Sequence, residues 1–148
     1  MAKSDRGHFP QNGIVTKVDL QNQMAAVYLP LLDMETDFIR IASDYVGAGW
    51  GQTSKLKIKD EVIVTFLGGD LNQGVITKRL FSSEADRPPK ESTEDFTLVH
   101  ENGSRLIFRT DGSVILVSTQ NMTINAGGAM TIQSGGAMKI KGATINLN

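Results

Sequence analysis

Asn121-Met122-Thr123-Ile124-Asn125-Ala126-Gly127-Gly128, Ala129-Met130-Thr131-Ile132-Gln133-Ser134-Gly135-Gly136 and Ala137-Met138-Lys139-Ile140-Lys141-Gly142-Ala143 are three passes of one pattern, closed by Thr144-Ile145-Asn146-Leu147-Asn148. Met recurs at 122, 130 and 138, Ile at 124, 132 and 140, and Gly pairs stand at 127/128 and 135/136. The period is eight. In each unit Met and Ile are two apart, so in an extended chain they point to one face while Thr123, Thr131 and Lys139 point to the other. The Gly pairs let the backbone turn sharply and let neighbouring chains approach closely. A fixed short period of this kind is the signature of a β-helix or solenoid.

A segment of about thirty residues with two apolar side chains per repeat cannot enclose a core of its own, and its open strand edges invite pairing with other chains. Three identical chains wound together give every strand neighbours and bring the Met/Ile faces to a common axis. The predicted interchain core is Met122, Ile124, Met130, Ile132, Met138, Ile140, Ile145 and Leu147, with repeat turns at Gly127, Gly128, Gly135 and Gly136. A short intramolecular solenoid, an amyloid-like stack and a floppy Gly-rich tail are the alternatives. The last is disfavoured because disordered tails lack regularly spaced Ile and Met. Lys139 and Lys141 read as charges on the outer surface of the repeat.

Upstream of the repeat, Phe96-Thr97-Leu98-Val99, Ser104-Arg105-Leu106-Ile107-Phe108 and Ser113-Val114-Ile115-Leu116-Val117 read as strands. Asn102-Gly103 and Asp111-Gly112 join them, and both dipeptides are strong turn signals. Residues 82–95 are polar and charged with a Pro88-Pro89 pair, and read as a linker. Before it lie five short β-type runs: Ile14 to Val18, Met24 to Leu29, Phe38 to Ala42, Glu61 to Leu67, and one beginning at Gly74. Gly, Asn, Asp and Pro turns separate them, which suits a small closed barrel of the OB type. The only helical content expected is one turn near Gly51 to Lys57. The organisation predicted is thus a flexible arm over 1–12, an OB-fold domain over 13–81, a linker over 82–95 and a triple-stranded β-helix over 96–148. The chain is all-β.

The 148 residues carry a net charge of −1 and no cysteine, so disulfide and thiol chemistry are excluded. A nucleic-acid partner requires a basic footprint, and no cluster of Lys and Arg longer than a pair is present. No signal-peptide pattern and no stretch of about 20 apolar residues occurs, so the chain is expected to be assembled in the cytoplasm.

Several local signals have plain readings. Gly68-Gly69-Asp70-Leu71-Asn72-Gln73-Gly74 matches neither phosphate-binding fingerprint and reads as a hairpin loop. Asp33, Glu35 and Asp37 read as one solvated loop face rather than a cation site. Trp50, between two glycines, reads as a packing residue, and His100 beside Glu101 as an exposed strand-end pair. No residue set points to an enzyme, a metal or a cofactor.

The ordered set Gly13-Ile14-Val15-Thr16-Lys17-Val18-Asp19, Leu29 to Arg40, Gly47-Ala48-Gly49-Trp50-Gly51, Asp60 to Phe66 with Gly68-Gly69-Asp70, and Gly74-Val75-Ile76 resembles the baseplate assembly protein V family of contractile-tailed phages. These are central baseplate spikes, related to type VI secretion spikes, and the resemblance extends over residues 13 to 148. It implies a homotrimer in the virion whose OB-fold collar docks on a baseplate hub protein. Its β-helical needle would pierce the target cell envelope when the sheath contracts. Two departures qualify it. Many members end in a His-x-His that binds iron at the tip, whereas this chain has only His8 and His100. The expectation is then a blunt end closed by a separate tip-capping protein, or a shortened spike. Nor does a lysozyme domain stand between barrel and needle. The alternative function from the residues alone is an OB-fold module for oligonucleotide or oligosaccharide with a trimerising tail, against which stand the charge balance and the few aromatics.

Overall fold

The first strand, β1 (Gln11–Asp19), alternates buried and exposed residues through Gln11, Gly13 and Val15, as a strand lining a barrel must. Gly13 has to be glycine: a Cβ there would sit 2.3 Å from Val27 Cγ1. The computed structural model describes residues 9–53, 55–82, 88–89 and 95–146, and the chain divides into two units, Met1–Lys90 and Glu91–Asn148.

In the first unit β1 is followed by β2 (Met24–Leu29), β3 (Met34–Glu35), β4 (Ile39–Ile41), β5 (Val46–Gly47), β6 (Trp50–Gly51), β7 (Glu61–Phe66) and β8 (Gly74–Arg79). The main sheet runs β1-β7-β8-β4-β2-β3, and β1 also pairs with β2. That second pairing closes the sheet into a five-stranded barrel of β1, β2, β4, β8 and β7. All its neighbours are antiparallel except β4 and β8, which pair in parallel through Arg40 with Val75 and Ile41 with Ile76. This order, with one parallel pair between the third and fifth barrel strands, is the OB topology. One strand serves two neighbours because β1 divides its length. Gln11 to Ile14 pair with β7 and Ile14 to Asp19 with β2, with a bulge between Val15 and Lys17 that bends the strand.

The core holds Val15, Ala25, Val27, Leu29, Leu32, Ile39, Leu56, Val62, Val64, Phe66 and Ile76. In β7 every second residue, Val62, Val64 and Phe66, is buried. The 51–57 segment forms no helix among its described residues. Leu56 instead inserts alone and is 2% exposed. The short helical element falls at Leu67–Gly69, a 3-10 turn that the left-handed φ of Gly68 interrupts. Phe38 lies outside β4 and is exposed.

Two further differences concern boundaries. The strand β1 starts at Gln11, two residues before Gly13, because the backbones of Gln11 and Asn12 pair with Val64 and Ile63. The hairpin of β5 and β6 was not expected. The arm over 1–8 and most of the linker, 83–87 and 90–94, lie outside the described residues.

In the second unit, β9 (Phe96–Val99), β10 (Arg105–Phe108) and β11 (Val114–Val117) form a three-stranded antiparallel meander. Its turns are those expected: Gly103 and Gly112 both adopt positive φ, at 89° and 84°. From 118 to 146 no strand pairing is made within the chain.

Candidate assembly surface

Every described residue from Thr119 to Asn146 is exposed. The exposure is regular. Met122, Met130 and Met138 are 48%, 48% and 47% exposed, and Ile124, Ile132 and Ile140 are 68%, 72% and 66% exposed. The exposure of Met and Ile thus repeats with the period of the sequence, although no strand ladder inside the chain enforces it. Ile145 is 49% exposed; Leu147 lies outside the described residues. Among the described residues no backbone-to-backbone hydrogen bond involves 120–146. The one side-chain hydrogen bond within the repeats is from the Gly136 amide to Ser134 Oγ, 3.2 Å.

The chain bends at 127–128 and again at 135–136. None of Gly127, Gly128, Gly135 and Gly136 is among the positive-φ glycines, and a Cβ on any of them would meet nothing within 4 Å. Backbone freedom is thus not what calls for glycine at these bends in the single chain. What glycine still provides there is an absence of side chain on an open surface.

The period of eight also continues upstream, which the reading from Met122 onward did not use. Subtracting eight from the Met122/Ile124 pair reaches Val114/Leu116, and eight more reaches Leu106/Phe108. The registers place all four on one face of the meander. Leu106 lies opposite Leu98 and Leu116, and Phe108 opposite Phe96 and Val114. The Phe96 and Phe108 rings lie 6.0 Å apart. This face consists of six apolar side chains, five of them exposed. The opposite face carries Thr97, Val99, Arg105, Ile107, Ile115 and Val117, and Ile107 is the only buried residue among the described residues of this unit. The signal for the link was the spacing. The change from Met/Ile to Leu, Phe and Val concealed it.

Turn chemistry distinguishes the two stretches. At Asp111-Gly112 the Asp111 carboxylate accepts hydrogen bonds from Ser113 Oγ at 2.6 Å and Ser113 N at 2.8 Å, and the chain reverses. These bonds, the side-chain one foremost, hold the Asp111 carboxyl below its ordinary value. At the Gly-Gly bends the one such bond among the described residues is the longer one from the Gly136 amide to Ser134 Oγ, and the chain does not reverse. His100 belongs to the other reversal: its Nδ1 accepts the Asn102 amide and its carbonyl accepts the Gly103 amide. It therefore has a turn-forming role.

On the barrel, the three alternate acids do not converge. Asp33 accepts the Tyr28 hydroxyl at 2.9 Å, and Glu35 pairs with Lys17 at 2.6 Å. Among the described residues no group of three or more His, Cys, Asp or Glu side chains is placed to hold a metal ion. The loop 67–74 is held by Asp70, whose carboxylate accepts Asn72 N at 2.9 Å and two side-chain amides. The β5–β6 hairpin projects an aromatic pair, Tyr45 and Trp50, with ring centroids 4.8 Å apart. Trp50 packs over Gly47 and remains more than half exposed, so it packs locally and not into the core.

Residues 11–81, the closed barrel just described, match the model of the type VI secretion system/phage-baseplate injector OB domain. This barrel is thus a member of the phage-baseplate and type VI injector OB-domain family. The chain is 39% identical over 57 residues to the type VI secretion system spike proteins VgrG2a and VgrG2b of Pseudomonas aeruginosa. That stretch covers 38% of this chain and 7% and 6% of those proteins. VgrG1a of the same organism is 37% identical over 51 residues, 34% of this chain and 8% of its own length. The chain thus spans less than a tenth of the curated relatives it matches.

Proposed function

We propose that this chain is a structural spike component of a contractile injector. Its barrel docks on the hub of a tail baseplate or a comparable secretion assembly, and its C-terminal repeat winds with two further copies into a triple-stranded β-helix. The role is mechanical: a stiff, fully paired needle transmits the thrust of sheath contraction to the target envelope. The injector OB family of the barrel supports the setting, and the spike relatives point the same way.

One observation carries the needle reading, the repeated exposure of Met and Ile along a segment that makes no backbone pairing among the described residues. Ordering a residue's backbone costs roughly 1–2 kcal/mol, and burying an apolar side chain of this size returns about 1.5–3 kcal/mol. A single copy of 119–146 buries none of them. With three copies around an axis, the Met122/Ile124, Met130/Ile132 and Met138/Ile140 layers are buried, and the open backbone edges find partners.

Replacing Met130 and Ile132 together by Asp tests this. Three copies of each carboxylate would meet on one axis, so light scattering after size exclusion should show a trimer for the parent and a monomer for the double variant. A parent chain that runs as a monomer and binds an oligonucleotide would instead favour the OB-fold recognition module. A double variant that stays trimeric would overturn the inward assignment of Met and Ile.

A further inference from the structure

Three Met/Ile layers of near-identical chemistry have a weakness as an assembly device. If one copy slips by eight residues, Met130 lies where Met122 should be, Ile132 lies where Ile124 should be, and two of the three layers re-form. The repeat alone therefore discriminates poorly between registers, as flat self-similar strands do. Something outside it must fix the alignment.

We infer that the apolar face of the β9–β11 meander packs against its own copies and sets the register of the needle; this rests on the trimer proposed above. The face is Phe96, Leu98, Leu106, Phe108, Val114 and Leu116, which carries no charged or polar side chain. Its occupant is a second copy of the chain because the face is continuous with the repeat surface. An open groove of about 670 Å³ is lined jointly by Leu98, Leu106 and Leu116 of the sheet and by Met122 and Ile124 of the first repeat, together with polar residues that include His100, Ser104 and Asn121. The same period of eight links the two, so a chain that buries Met122 and Ile124 at an interface brings Val114 and Leu116 to that interface also.

Unlike the repeat, this face differs from level to level. Phe96 and Phe108 are bulky at one end of the strands, beside the β-branched Val114, and Leu98, Leu106 and Leu116 cross the other end. The meander also doubles back at Gly103 and Gly112, so its three strands move as one body. A slip of eight residues would set rings against smaller side chains, and close-packed interfaces tolerate such mismatch poorly. Leu98 and Leu116 are more than half exposed in the single chain, so both can be changed with little effect on the meander's own fold.

The full chain has no cysteine, which makes register directly readable. Met122→Cys and Met130→Cys chains are prepared separately, mixed, unfolded, refolded and oxidised, and their disulfides are mapped by mass spectrometry. In register these positions stay one repeat apart, so only like pairs, 122 to 122 and 130 to 130, are expected. The same experiment is repeated in a Leu98→Ser/Leu116→Ser background, with Leu98→Met/Leu116→Met as the apolar control. Unlike 122-to-130 links are expected to rise at least tenfold in the Ser background and to stay low in the Met control. Loss of the trimer in the Ser background, with the barrel's circular dichroism unchanged, also supports the face as an interchain surface. A Ser variant that remains trimeric with like pairs only would overturn it. A parent chain that is not trimeric refutes the underlying reading instead, and light scattering on the parent separates the two failures.

Discussion

Arg79 Nη2 donates to Asp60 Oδ1 at 2.9 Å across the mouth of the barrel, joining the end of β8 to the residue before β7. The Asp60 side chain is 6% exposed and also accepts the Lys57 amide at 2.7 Å, while Arg79 is 40% exposed. The backbone joins in: the Asp60 carbonyl accepts the Val15 amide, and the Val15 carbonyl accepts that of Lys59. Asp60 thus fastens β1, β7, β8 and the loop carrying Leu56 at one point.

Asp60→Ala should lower the barrel's stability by about 2 kcal/mol, because it leaves a sheltered amide without its acceptor. The exposed part of Arg79 keeps its water, so the ion pair contributes the smaller share. Urea denaturation followed by circular dichroism measures the loss. Arg79→Ala is expected to lose less than half as much, and equal losses would show that the ion pair dominates.

Gly47 and Trp50 make a second local test. A Cβ on Gly47 would come 2.2 Å from the indole ring, so Gly47→Ala must displace Trp50 from Tyr45. Trp50 is the only tryptophan, and its fluorescence reports the change alone. A shift in emission is expected with a change in barrel stability below about 0.5 kcal/mol, since surface sites away from the core act within that range. Unchanged emission would mean that the ring does not rest on Gly47 in solution.

The barrel was legible because its strands obey simple rules: Val62, Val64 and Phe66 alternate inward, and Gly, Asn, Asp and Pro bound each run. The misses have a common cause. Gln11 and Asn12 look like arm by composition, yet their backbones complete β1 against β7. The strands β5 and β6 have two residues each, too few to show any period. Leu56 is buried by the closure of the barrel, which no local pattern encodes. In the second unit the Met/Ile surface was visible as a repeat. The kinship of Leu106/Phe108 and Val114/Leu116 with it was hidden, because Asp-Gly reversals made the upstream strands look like ordinary hairpins.

Three aspartates, Asp70 and Asp111 exposed and Asp19 half-buried, stabilise turns and give the fold an acid limit. Asp111 is held below 3.8 by Ser113, Asp19 by the Asn22 side chain and amide, and Asp70 first by the Asn72 amide. A carboxyl whose folded pKa is depressed adds stability above its unfolded value, and that contribution is lost as pH falls through the folded value. The turns should therefore weaken progressively as the pH falls into and below the ordinary aspartate range. Carboxyl-carbon NMR titration should give all three midpoints below 3.8, and Ser113→Ala should raise that of Asp111 alone. A rise at all three would indicate a general loosening and not the loss of one turn.

The glycine pairs offer the sharpest separation between one chain and three. In the single chain Gly127 and Gly135 have no positive φ, and a Cβ there meets nothing within 4 Å, so Gly127→Val and Gly135→Val strain nothing within the monomer. If neighbouring copies approach where the side chain is missing, each valine repeats three times around the axis. Overpacking costs about 1–3 kcal/mol per site. One substituted layer then loses at least about 3 kcal/mol, roughly a hundredfold in association. Sedimentation across a concentration series should show the trimer dissociating in either variant while the barrel melts at its parental temperature. A valine variant as tightly trimeric as the parent would mean that the bends face solvent, and that glycine serves there for a reason other than close approach.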